Sequence, residues 1–187
     1  MSVNTVSNLI EVYSPKLVMA GKTPPYSDVS KLLKEFSSEV HLLEGVEDEI
    51  ESYLKEAIFS KKWGKDYDLW FIAVLEHPSM TCVNYLLSIL DETDANFPYW
   101  KALDVLAYMP QSISENIVPR LIQIIESNNV AWSDEDLKKA FETLVWIGSK
   151  EGIDFISRAC DSSVGRIADM AKYWVSWMAD DDDEDSE

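Results

Sequence analysis

Hydrophobic positions along this chain fall into one helical stripe after another. Val29, Leu32, Leu33, Phe36, Val40 and Leu43 keep the spacing of a helix with one face on a core. Ser27 or Asp28 stands where its cap belongs. Gly45 interrupts the pattern, and Val46, Ile50, Tyr53, Leu54, Ala57 and Ile58 resume it until Trp63-Gly64. Leu69 to Leu75 is apolar on every side. A buried strand would read the same way, but its place in a run of helices favours a central helix buried all round, ended by Pro78. Met80 to Leu90 follows, with Val83, Leu86, Leu87 and Leu90 on one face, and then Phe97 to Met109, stopped by Pro110.

The C-terminal half continues in the same manner. Ser114 to Glu126 turns Ile117, Val118, Leu121, Ile122 and Ile125 inward, and Pro119 should kink it or mark its first turn. Ser133-Asp134-Glu135-Asp136 has the form of a helix entry, a serine cap with acids in the first turn. Leu137, Ala140, Phe141, Leu144 and Val145 make the stripe that follows, and Gly148 suits the exit. A shorter helix spans Glu151 to Ala159. The last, capped by Ser162 or Ser163, carries Val164, Ile167, Ala168, Ala171, Trp174 and Met178 inward. The N-terminal stretch Ser2 to Tyr13 fits a short helix ended by Pro15, or a strand, and Pro24-Pro25 marks a linker. The domain reading is an arm over 1–26, one helical domain over 27–178 and a disordered acidic tail over 179–187.

His77-Pro78, Met109-Pro110 and Ile147-Gly148 each close one helix and are soon followed by another. Paired helices at intervals of roughly 30–45 residues suggest an α-solenoid. The pattern over about residues 66–178 resembles degenerate HEAT-like repeats, although no fixed consensus residue recurs. The fold expected is all-α, a right-handed solenoid of HEAT-like helix pairs, with an irregular helical bundle as the alternative.

Charge narrows the function. The chain has 34 Asp+Glu against 16 Lys+Arg, a formal charge of -18. Such a field repels nucleic acid and anionic membranes and attracts basic partners. Helical-repeat glycosylases need a surface that attracts phosphate, so this sign of charge argues against nucleic-acid repair. No Gly-rich phosphate loop, HExxH or Cys-x-x-Cys occurs, and neither cofactor nor metal is expected. Cys82 and Cys160 read as reduced, buried thiols, and His41 and His77 as structural residues. Without a visible signal peptide or a bilayer-length apolar run, the expected location is the cytoplasm.

The candidate partner-binding residues are acid clusters with a nearby aromatic. They are Glu44, Glu47, Asp48, Glu49 and Glu51, then Asp91, Glu92 and Asp94, and finally Trp132 with Asp134, Glu135 and Asp136. Trp63, Trp132 and Trp177 stand outside the stripes, and an aromatic ringed by acids is a plausible interface anchor. In size and acidity the chain resembles bacterial immunity proteins, including those of contact-dependent inhibition systems. That resemblance implies a binding protein, not an enzyme, whose partner is a basic toxin domain, a nuclease covered at its phosphate-binding surface. A scaffold for a peptide or protein, and an enzyme with an unrecognised carboxylate site, are the other two readings.

Overall fold

The computed structural model describes residues 5–22, 27–60, 62–64, 66–91, 99–128 and 131–184. Among them the chain forms ten helices: α1 Val6–Ala20, α2 Ser27–His41, α3 Glu47–Ser60, α4 Tyr67–Glu76, α5 Met80–Asp91, α6 Tyr99–Ala107, α7 Gln111–Asn128, α8 Asp134–Ile147, α9 Lys150–Ala159 and α10 Gly165–Glu184. The expected all-α class is thus observed. None of these helices is long and apolar enough to cross a membrane. The chain divides into two compact units, Met1–Tyr85 and Leu86–Glu187. Pro24-Pro25, expected as a linker, lies outside the described residues.

In the first unit α1 and α2 pack on each other and on α4, and α3 also packs on α4. The apolar segment within α4 is helical, not a strand. Leu69, Trp70, Phe71, Ala73 and Val74 are buried, and only Ile72 and Leu75 are half-buried. Aromatic rings close its surroundings. Tyr53 stacks on Trp70 with centroids 4.2 Å apart, and Trp63 meets Tyr53 at 6.5 Å and Phe71 at 5.8 Å. Trp63, off the stripes in sequence, therefore packs among these rings. His77 ties three helices together: Nε2 donates to the Val40 carbonyl at 2.8 Å, and Nδ1 lies 3.9 Å from Glu47.

The N-terminal helix differs from expectation. α1 does not stop at Pro15 but carries it inside, on an exposed position. A proline removes one helical hydrogen bond without ending a helix that tertiary contacts support, and two such supports are present. Ser14, buried two turns in, donates its hydroxyl to Asp66. At the start, Glu49 of α3 accepts from the Val6 and Ser7 backbone N–H groups, each at 2.9 Å, and from the Ser7 hydroxyl. Those are the donors a helix start leaves without intrahelical partners. Replacing Glu49 with alanine is expected to cost about 1–3 kcal/mol, because charged hydrogen bonds to helix-end donors are lost together. Glutamine, which keeps one acceptor, should cost less. Urea denaturation of the two variants checks the order.

Two tyrosines make this unit sensitive to alkali. Burial, together with the hydrogen bond to Glu39 at 2.8 Å and the charges of Glu39 and Glu35, pushes the Tyr13 phenol from 10.0 up to about 12. Burial likewise pushes Tyr53 to about 12, with a backbone hydrogen bond at Gly64 opposing and Asp66 adding to the rise. A raised folded-state value means that the unfolded chain loses its proton first as pH climbs. Stability from these groups is full below pH 10 and drains as pH rises toward 12. An alkaline unfolding transition is expected in that window, and Tyr13→Phe should flatten the fall in stability above pH 10. Denaturation midpoints measured across the window report it.

The second unit is built around α8. It packs on α6, α7, α9 and α10, while α9 also packs on α7 and on α10. Leu137, Ala140, Phe141 and Leu144 are all buried, as the stripe requires. The entry is a capping box: the Asp136 N–H donates to Ser133 Oγ at 3.1 Å, and the Ser133 N–H donates back to Asp136. Gly148 closes the helix at φ 65, the left-handed conformation glycine reaches without a Cβ penalty. Pro119 does not begin α7, which starts earlier, directly after Pro110, and carries Pro119 inside on an exposed position. α10 continues through Glu184 into the acidic segment, and residues 185–187 lie outside the described ones. Both cysteines are free, Cys82 buried and Cys160 half-buried.

Candidate functional site

The sequence-derived acids occupy several different structural situations. Glu49 caps α1, Glu51 accepts the Ser79 hydroxyl at 3.0 Å, and Glu47 faces His77. Asp91 at the end of α5 pairs with Arg120 of α7. Asp134 accepts from Arg166 of α10 at 2.6 Å, and Asp136 completes the capping box. Glu44, Asp48 and Glu135 are exposed. Glu92 and Asp94 lie outside the described residues. The group from Glu44 to Glu51 belongs to the first unit, and Asp91 and Asp134 to Asp136 belong to the second. Much of the clustering therefore serves helix ends and neighbouring helices.

Sequence reasoning sets Trp132 at the partner surface, but the structure buries it at 3% exposure. Its ring packs on Tyr99 with centroids 6.3 Å apart, and Arg166 donates to its backbone carbonyl at 2.9 Å. The loop before α8 folds inward because a large apolar ring gains more from burial than from water. No group of three or more His, Cys, Asp or Glu among the described residues is placed to hold a metal ion.

Exposed aromatics, in contrast, recur on α6, α8 and α10 of the second unit, besides Phe59 on α3 of the first. Trp100 and Tyr108 of α6 are 49% and 68% exposed, and Trp146 of α8 is 60% exposed. Tyr173 and Trp177 of α10 are also exposed. Side-chain contacts place them on a shared face. On α6, Asp104 lies four residues from both Trp100 and Tyr108, so the three form one row. Lys139 of α8 bonds Asp104 at 2.6 Å and Glu142 at 3.2 Å, which sets that row beside the outer row of α8. Trp146, four residues beyond Glu142, donates its Nε1–H to the Glu142 carboxylate at 3.3 Å. On the other flank the Lys138 ammonium lies 5.1 Å from the Tyr173 ring centroid, and Trp177 follows one turn along α10.

The electrostatics of this face are locally organised. Burial pulls the Lys139 ammonium down, but hydrogen bonds and charges from Asp104 and Glu142 outweigh it and hold the group above its usual 10.5. Lys101 sits over the Trp100 ring, 4.5 Å from its centroid. A groove of about 390 Å³ runs between α8 and α10, lined by Asp134, Lys138, Arg166, Asp169, Met170 and Tyr173. Half-exposed tryptophans beside mixed charge are what protein-binding surfaces concentrate. The missed signal was present in the sequence: Trp100 and Trp146 both stand off the stripes of their own helices.

Comparison with protein-family models, with curated proteins and with solved structures returned no match for this chain.

Proposed function

We propose that this chain works by binding another protein, as an acidic immunity-type inhibitor that covers a basic toxin domain. The observation that carries the binding reading is the aromatic face of α6, α8 and α10, on a chain of charge -18. Rings supply contact area and slow release, while the surrounding acid field speeds encounter with a cationic surface. A nuclease toxin has such a surface because it must hold phosphate. In the second unit each helix from α6 to α10 packs on the next and on the next but one. Contacts of this near-neighbour kind favour the reading as a right-handed solenoid of HEAT-like pairs.

The test is capture. Tagged protein drawn from its native cells, washed through a salt gradient and analysed by mass spectrometry, should retain one stoichiometric basic protein released only at high salt. Purified with its captor, that protein should lose its toxic activity. A partner without basic character, or none at all, rules the inhibitor reading out.

A further inference from the structure

Trp146 presents an indole whose edge is tied to the Glu142 carboxylate and whose face meets no described ring or cation. Two other exposed rings of this unit already hold cations on their faces: Lys101 on Trp100 and Lys138 on Tyr173. Beside it, two carboxylates, Asp104 and Glu142, share one ammonium, Lys139. That leaves an uncompensated negative charge next to an open aromatic face. An apolar side chain docked there would bury the charge unpaired, which is costly. A cation docked there is favoured by both features.

We propose that Trp146 and Glu142 clamp an arginine of the basic partner, the guanidinium stacked on the indole and paired with the carboxylate. This rests on the partner-binding reading above. Arginine fits better than lysine because its planar fork stacks and pairs at once, whereas an ammonium is a strongly hydrated point charge.

The experiment has two arms. In the first, arginine-rich and lysine-rich peptides of equal length and charge are titrated calorimetrically into the full chain and into Trp146→Ala, Trp146→Phe and Glu142→Gln. Trp146 is exposed, so its replacement leaves the core intact. The arginine peptide should bind more tightly, Trp146→Ala should weaken it about 2- to 30-fold, and Trp146→Phe should restore part of the loss. The lysine peptide should respond little. Equal affinity for both peptides, or an unchanged arginine affinity in Trp146→Ala, overturns the clamp. In the second arm, Trp146→Ala is used for capture from cells. Weakened retention of the basic partner supports the clamp, and undiminished retention overturns it while leaving the partner reading intact. Capture of no basic partner by either chain sinks that reading, and the peptide titration then decides the clamp by itself. A dimer in sedimentation that Trp146→Ala dissolves overturns the clamp in favour of a second copy of this chain.

Discussion

Association with the basic partner is expected to slow about a hundredfold or more when salt is raised from low to molar concentration. Charge steering lifts association rates from about 10⁵–10⁶ to 10⁸–10⁹ M⁻¹s⁻¹, and salt removes that gain. The field here is large, -18 over the chain, and three of its acids, Glu44, Asp48 and Glu135, stand exposed on both units. The screening length shrinks from about 10 Å at 0.1 M to about 3 Å at 1 M, so only groups in near contact still act at high salt. Dissociation should change far less, since it is governed by rings and pairs already desolvated. Stopped-flow mixing over a salt series measures both rates. Reversing Glu44, Asp48 and Glu135 to lysine should lower the low-salt rate and leave the high-salt rate almost alone. A rate indifferent to salt would show that encounter does not depend on this field.

Trp132→Ala is expected to destabilise the second unit by about 3–5 kcal/mol, the usual cost of emptying a large aromatic site. The ring is buried, packs on Tyr99, and lies between the α6 and α8 entries. Arg166 would keep its hydrogen bond, because it is made to the Trp132 backbone. The loss is therefore one of packing. The indole Nε1–H meets no protein acceptor among the described residues, so Trp132→Phe gives up volume without a protein hydrogen bond and should cost much less. Urea denaturation separates the two variants. If Trp132→Ala kept full stability and lost only partner binding, the ring would belong to the interface and not to the core.

The contrast between Trp132 and Trp146 shows what was legible in the sequence. Stripes such as Leu137, Ala140, Phe141 and Leu144 name a helix and its buried side, because the spacing of apolar residues is set by helix geometry alone. Caps were legible for the same local reason: Ser133 and Gly148 sit where the sequence sets them. What a tryptophan off the stripe does depends on the next helix. Trp132 finds Tyr99 and goes inside, while Trp146 looks out over Glu142. Pro15 misled for a related reason. It opposes a helix locally, yet it lies inside one held by packing from elsewhere in the chain, whereas Pro119 lies within a helix as its sequence surroundings indicate. Acid clusters misled in another way. Glu49 stands in sequence among the candidate partner-binding acids, but its carboxylate is spent on the start of a helix more than forty residues earlier in the chain.

Lys139 also constrains how this surface can change over generations. It stands between Asp104 and Glu142 and neutralises part of each. Lose the lysine alone, and two carboxylates confront each other beside the tryptophan. Lose one acid alone, and the ammonium keeps a partner but the negative charge beside the tryptophan is gone. The three positions are thus free to drift only as a set, and descendants of this chain should carry paired substitutions there, a correlated signature in sequences that share the fold.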